Sequence, residues 1–347
     1  MKLKNIKIEN LFGLEQNNFD IELYPNEKIT ILYGFNGVGK TSIIKLVSAI
    51  LSCDLSKLFD IKFSRVIITF ENDSFLDVTF KFDLAEKNRF LSFKIVDVDE
   101  DELVYTFNYK DYFFYNINLD SYQSLQKKLA NKIDIHSVYA NKDFNRMSDR
   151  KEIKIEYPTS RIMSLKKSME SFIKKYSGTN KPHPEFTFTV PYKDGLTELI
   201  KKISQDSWNG SFKLFDDIIN NRMGLLYKKV RLVDSNDGFG ICLEKVYAND
   251  PYVSLDMLSS GEKNVICLFL ELIFLTSENS VFFIDEPETS LHVEWQKQLV
   301  PAIMEICNEY NYQAIIATHS PNVIDEYWGL MSPIRSSRYK DEKYFNS

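Results

Sequence analysis

The chain has 347 residues, 44% hydrophobic and 27% charged, with 26 Phe and 19 Tyr; that is ordinary globular composition, enough for two average domains or one large domain with an insertion. A net charge of −6 argues against a uniformly basic nucleic-acid binder. No apolar run reaches the roughly 18 residues of a membrane span, and MKLKNIKIENLFGL lacks the apolar core of a signal peptide.

Residues 2–9 alternate and predict a strand, and 19–24 a second. EKITILYG is a short apolar run ending in glycine, the pattern of a buried strand entering a loop, and TSIIKLVSAIL follows with apolar residues at helical spacing. Residues 63–70, 75–82 and 90–98 read as antiparallel strands, rich in β-branched and aromatic types. The aromatic stretch 102–118 takes no assignment. Helices are expected at 121–133, 162–176, 194–204 and 211–227, with a Gly/Asn/Pro loop at 177–186. Residues 228–233 and 239–246 form a hairpin pattern around an Asp-Gly turn. From 258 a Ser-Gly start leads into a strongly apolar helix. Then come an apolar strand at 281–285, a helix at 292–307 and a buried strand at 313–319.

Charge is unevenly spread. Residues 125–234 hold 22 Lys and Arg against 13 Asp and Glu, which reads either as a solvated helical surface or as a face for nucleic acid. Cys53, Cys242, Cys267 and Cys307 form no CxxC pair; reduced, buried thiols in a cytoplasmic protein are expected rather than disulfides or zinc.

Gly34-Phe35-Asn36-Gly37-Val38-Gly39-Lys40-Thr41, with Ser42 behind it, fits GxxxxGK[ST] between a strand and a helix. Glycines let backbone N–H groups turn around phosphate oxygens, and the helix start points its positive end at the same place. Lys40 is expected to reach the β- and γ-phosphates of ATP and Thr41 to hold Mg²⁺. Val281-Phe282-Phe283-Ile284 buries a strand, from whose C-terminal end Asp285 and Glu286 emerge, where ligands sit in an open α/β sheet. Asp285 is the second candidate Mg²⁺ residue and Glu286 the candidate for polarising the attacking water. Ser259, Ser260, Gly261 and Glu262 precede the apolar helix; alone they read equally well as a helix cap. His319 ends the last buried strand, where an imidazole can donate to a γ-phosphate.

Taken together, these segments resemble the ABC-class ATPase heads of the structural-maintenance-of-chromosomes and overcoming-lysogenisation-defect families, and most of all the stand-alone AAA-family ATPases of bacterial defence systems. IKIENLFGLEQNNFDIEL, ILYGFNGVGKT, IEYPTSRI (155–162), LSSGEK, FFIDEPETSLH and IIATHSP carry the likeness. It covers roughly 1–50 and 250–325 well and the middle weakly. It implies an α/β fold: an ABC-type P-loop head with a mixed central sheet, an antiparallel β subdomain and a helical insertion. The halves of the head would be 1–120 and 228–347, the Lys-rich insertion 121–227 with a strand near 153–158.

The resemblance also implies a site shared between subunits, with Ser259, Ser260, Gly261 and Glu262 facing the nucleotide of a second copy, and with Glu288, Ser290, Leu291 and His292 in a loop communicating across that interface. Three departures stand out. Ser260 and Glu262 replace the Gly and Gln of transporters, no glutamine-loop residue is clear (Gln123 and Gln126 qualify by position only), and Phe12 replaces a basic residue of the N-terminal turn. The function expected is an ATPase switch, active as a homodimer or higher oligomer. It would sense a phage trigger and control a separate nuclease or toxin. A DNA-binding repair or chromosome-maintenance ATPase is the alternative. An OLD-type nuclease is less expected because 28 residues follow His319. A transporter subunit is disfavoured by Glu262 and the insertion.

Overall fold

The alternation of LKNIKIE becomes strand β1 (Leu3–Glu9), with Leu3, Ile6 and Ile8 buried and the lysines out. A register shift between Leu3 and Asn5 against β4 (Arg65–Phe70) brings Leu3 to the same face as Ile6. The computed structural model describes residues 1–58, 61–83, 88–97, 102–110, 113–115, 119–132, 134–139, 208–224, 228–235, 238–245, 252–253, 258–274 and 280–334. The strand expected near 153–158 and the helices expected at 162–176 and 194–204 lie outside them.

β1 and β4 join β2 (Phe19–Glu22), β5 (Phe75–Asp83), β6 (Asn88–Val96), β7 (Leu103–Lys110) and β8 (Phe113–Tyr115) in a seven-stranded sheet of order β2-β1-β4-β5-β6-β7-β8. Every pairing in it is antiparallel. The unassigned aromatic stretch thus supplies its last two strands. A second sheet, of order β15-β3-β14-β13-β9, is parallel at every pairing. It contains β3 (Ile29–Tyr33), β9 (Asp134–Tyr139), β13 (Ser280–Asp285), β14 (Gln313–Thr318) and β15 (Met331–Pro333). The strand β9, which pairs with β13, was not foreseen. The expected hairpin forms as β10 (Lys228–Ser235) and β11 (Gly238–Lys245), with β12 (Tyr252–Val253) added at its edge.

Fully buried strands present alternate residues to two cores. Leu32, Val281, Phe283, Ile315 and Ala317 pack with helix α1 (Lys40–Leu51) and the inner face of the antiparallel sheet. Ile31, Phe282, Ile284, Ala314 and Ile316 face the other way. There they meet helix α5 (Ser260–Phe274) and helix α6 (Val293–Tyr310). Helix α4 (Trp208–Asp216) and the π-helical turn Asp217–Met223 pack into the same core. The short α2 (Leu55–Leu58) follows α1, α3 (Leu119–Lys132) follows the antiparallel strands, and α7 (Pro321–Ile324) follows β14. Met1–Ala140 and Phe188–Ser347 form one compact unit, and Asn141–Thr187 lie outside the described residues. From the Lys-rich middle, α3, β9 and α4 all belong to that unit.

The buried Gln313 ties the two sheets together, its Oε1 accepting the Leu3 N–H at 2.7 Å and its Nε2 donating to the Leu3 carbonyl at 2.8 Å. Cys53 and Cys307 are buried and Cys267 half-buried, all three free, and burial pushes each thiol up to about 12. Among the described residues no helix is long and apolar enough to cross a membrane.

Candidate functional site

The parallel register decides which residues can meet. Tyr33 stands opposite Thr318, and Ala317 opposite Asp285, so the ends of three neighbouring strands release Gly34, His319 and Glu286 at one edge of the sheet. Gly34–Gly39 turn there into α1. Gly39 has φ 107°, a backbone conformation that disfavours any side chain. A Cβ on it would also stand 3.4 Å from the Phe12 ring. Phe35, Asn36 and Gly37 are exposed, while Val38, Thr41 and Ser42 are half-buried. The Lys40 Nζ donates to the carbonyls of Gly34 (2.7 Å) and Phe35 (3.2 Å), so the loop wraps its own cation. Phe12, at φ 64°, stands beside this loop and is 42% exposed.

Thr41 Oγ1 donates to Asp285 Oδ2 at 2.7 Å. The other carboxylate oxygen, Oδ1, is buried and has no hydrogen-bond partner. Burial pushes the Asp285 carboxyl up; the Thr41 hydrogen bond works against this, and the Glu286 charge adds to it. A half-buried hydroxyl and a buried carboxylate with an unused oxygen are hard oxygen donors of the kind that hold Mg²⁺ alongside nucleotide phosphates. The residues present therefore fit the ion. Among the described residues no group of three or more His, Cys, Asp or Glu could hold a metal by itself.

Glu286 adopts φ 47° and anchors its N–H on the Ala317 carbonyl at 2.8 Å. That strained left-handed residue turns the chain out of the strand. His319 lies against it, Nδ1 to Glu286 Oε1 being 3.4 Å. Lys40, Thr41, Asp285, Glu286 and His319 thus share one edge of one sheet.

The 258–262 segment makes different contacts. Ser259 and Glu262 form a reciprocal capping box at the start of α5: Ser259 N–H donates to Glu262 Oε2 at 2.7 Å, and Glu262 N–H to Ser259 Oγ at 3.2 Å. Glu262 Oε1 accepts from Lys228 Nζ at 2.7 Å, so both carboxylate oxygens are engaged within the chain. Burial opposes the charge of Glu262, yet Lys228 and the two Ser259 donors hold its carboxyl below the ordinary glutamate range. Gly261 is buried because the loop after Asp285 passes over it: a Cβ there would lie 2.5 Å from the Ser290 carbonyl oxygen. Asn264 Nδ2 donates to the Thr289 carbonyl at 3.2 Å. Ser259 and Ser260 remain exposed.

Glu288, which the resemblance places in an interface loop, turns inward here, and Gln296 has no signal in the sequence. Glu288 is 5% exposed and accepts from Thr318 Oγ1 at 2.6 Å. Gln296 on α6 donates to the Leu291 carbonyl at 3.1 Å and accepts from Ser320 Oγ at 2.8 Å, holding the same loop. His292 caps α6 by accepting the Glu294 N–H. Gln123 and Gln126 sit on α3, where Gln126 donates to the Tyr122 hydroxyl at 2.9 Å.

A family model described as "AAA domain, putative AbiEii toxin, Type IV TA system" matches residues 29–325. Protein ea59 of Escherichia phage lambda is 29% identical over 129 residues, covering 37% of this chain and 24% of that protein. The probable ABC transporter ATP-binding protein p29 of Mesomycoplasma hyorhinis is 23% identical over 185 residues, covering 52% of this chain and 66% of that protein. The DNA replication and repair protein RecF of Chlorobium luteolum is 46% identical over 57 residues, covering 16% of this chain and 14% of that protein. The chain thus spans less than two thirds of each of these relatives. Among solved structures, an Smc head domain with an extended coiled coil, bound to the C-terminal domain of ScpA derived from Pyrococcus furiosus, is 12% identical. It covers 97% of this chain and 94% of that chain, with a TM-score of 0.48.

Proposed function

The chain belongs to the AAA-domain family just described, an ABC-like group of P-loop ATPases, and on that premise we propose that it binds and hydrolyses Mg²⁺–ATP at a site completed by a second copy of itself. The observation that carries this reading is the Thr41–Asp285 hydrogen bond with its unused Asp285 oxygen. Backbone N–H groups of 34–39 and the start of α1 cradle the phosphates, and Lys40 moves from its own loop carbonyls to the β/γ-phosphate oxygens. Mg²⁺ held by Thr41 and Asp285 supplies charge neutralisation at those phosphates. Glu286 orients the water for in-line attack, and His319 contacts the γ-phosphate. The exposed Ser259 and Ser260 hydroxyls face the nucleotide of the second copy, and Glu262 contributes by fixing the helix start beneath them.

Such a site works as a switch, closed with ATP and released by hydrolysis. We assign it to the cytoplasm, in a defence role against phage that restrains or releases a separate nuclease or toxin; the family description, which names a toxin–antitoxin system, supports that reading. The test is ATP turnover with and without Mg²⁺, alongside the mass of the Glu286→Gln protein in ATP. Retained ATP binding, a larger assembly and slow hydrolysis are expected. Wild-type turnover in Glu286→Gln would remove its assignment, and a monomer at saturating ATP would remove the shared site. Phage plating with and without the neighbouring gene tests the defence role.

The RecF match favours a second reading, a DNA-responsive ATPase. Turnover stimulated by duplex DNA at low salt, and lost as salt rises, would favour it over the effector switch.

A further inference from the structure

The chemistry above gives Glu288 no task, yet the fold spends much on it. One oxygen, Oε1, takes the Thr318 hydroxyl at 2.6 Å and lies 3.4 Å from the His319 N–H and 3.5 Å from His319 Nδ1. The other, Oε2, is buried with no hydrogen-bond partner. A buried carboxylate oxygen without a donor is costly. Its neighbour His319 shows the matching deficit. Nδ1 is buried between Glu286 Oε1 at 3.4 Å and Glu288 Oε1 at 3.5 Å, with hydrogen-bond geometry to neither. The side chain is still 36% exposed, so its open edge is the one away from Nδ1, which carries Nε2.

One ring nitrogen can serve only one of the two carboxylates well, and the two differ. Glu286 is more exposed and lies on the strained turn out of β13. Glu288 is held through Oε1 and through the loop that follows it. Thr318 holds its carboxylate, Asn264 holds the next carbonyl along, and the Ser290 carbonyl rests on Gly261. Which nitrogen of a histidine ring carries the proton is set by its hydrogen bonds, often an Nδ1–H given to a carboxylate, leaving Nε2 for the site.

We propose that Glu288 is a positioning residue for hydrolysis: it takes the Nδ1–H of His319, which aims the Nε2 edge at the nucleotide and keeps the imidazole off Glu286. The proton stays on Nδ1 and no group is transferred. The proposal rests on the ATPase reading for its consequence, though the Glu288–His319 contact itself needs no nucleotide.

The test uses the full chain. Ring ¹⁵N shifts of His319, assigned by their loss in His319→Asn, are read without nucleotide in the wild type and in Glu288→Gln. ATP affinity, kcat and KM are read in parallel. The proposal expects a proton on Nδ1 in the wild type and a change of ring pattern in Glu288→Gln. It also expects ATP affinity and KM within about twofold and kcat lower by about tenfold or more. A wild-type ring protonated on Nε2 alone overturns it, even if Glu288→Gln fails to fold. So does a Glu288→Gln variant with wild-type kcat, or one whose kcat and affinity fall together with its melting temperature, as a merely structural role would give. A wild type that holds the Nδ1 proton but hydrolyses no ATP overturns the ATPase reading and leaves the contact standing.

Discussion

Thr41 and Asp285 stand 244 residues apart in the chain and share a 2.7 Å hydrogen bond. The first residues of α1 are thereby locked to the end of a strand two places away in the sheet. Asp285→Asn keeps an acceptor for Thr41 but removes the charge that a cation would meet. ATP turnover is expected to fall about a hundredfold or more, the equivalent of roughly 3 kcal/mol in the transition state. The nucleotide-free protein should respond the opposite way. Burial raises the Asp285 carboxyl above its ordinary 3.8. Its stability contribution is therefore full below that value and lost as pH rises through the folded pKa. Near pH 8 the Asn variant should melt higher than the wild type, with the gap shrinking on acidification. Melting curves across pH check this, and a wild type that is the more stable at pH 8 would contradict it.

Gly261 is held to glycine by its own chain. A methyl group there meets a backbone oxygen at 2.5 Å, which cannot swing aside as a side chain would, so the Ser290 loop must shift. Gly261→Ala is expected to cost about 1–3 kcal/mol, as overpacking does, and to lower turnover as well. Ser259→Ala should cost about 1 kcal/mol through the lost cap. Urea melts compare the two, and an Ala variant at 261 of unchanged stability would refute the close approach.

How legible was this in the sequence? The α/β class, the glycine loop between strand and helix, and the apolar strand before Asp285 follow from periodicity and composition. They survive because burial on both faces of a parallel strand leaves a continuous apolar run. β9 did not show: DIHSVY has no such run, and its pairing with β13 depends on a partner 146 positions on in register. Nor did the inward role of Glu262. A serine–glutamate spacing signals a capping box, but the likeness to a shared nucleotide site drew Glu262 toward the ligand, and only the placement of Lys228 shows where its carboxylate goes. The resemblance places Glu288 in an interface loop; its bond to Thr318 is a contact over 30 residues that no local pattern encodes.

Lys228 and Glu262 give a pH-dependent prediction. Glu262→Gln can keep the capping box, since glutamine serves at that position, while losing the ion pair to Lys228. At neutral pH it is expected to cost about 1.5–3 kcal/mol, the range for a hydrogen bond to a charged group. The folded carboxyl lies below its ordinary 4.5. Its contribution is present above that value and is lost as pH falls through the folded pKa. The gap between the wild type and Glu262→Gln should therefore close as pH falls below 4.5 and through the folded pKa. Denaturant midpoints measured between pH 3 and 8 test it. A gap that stayed constant across that range would place the effect in packing and not in charge.

Gln313 offers the sharpest test of how the two sheets are joined. Its amide satisfies both backbone groups of Leu3, donor to acceptor and acceptor to donor, at a site with no solvent. Gln313→Leu fills the space but strands one N–H and one carbonyl, each costing about 1–3 kcal/mol when buried and unpaired. A loss of roughly 3 kcal/mol is expected. Gln313→Glu is more telling. A carboxylate can accept the Leu3 N–H, but its second oxygen then faces the Leu3 carbonyl with no proton between them. Only the protonated acid reproduces the amide pattern. This variant should be the least stable of the three at pH 8 and should gain on the Leu variant as pH falls toward 5. The Leu3 amide should exchange faster in Gln313→Leu than in the wild type, because that N–H loses its acceptor. Stabilities of the two variants that moved in parallel with pH would show that the amide pair does not hold β1 to the parallel sheet.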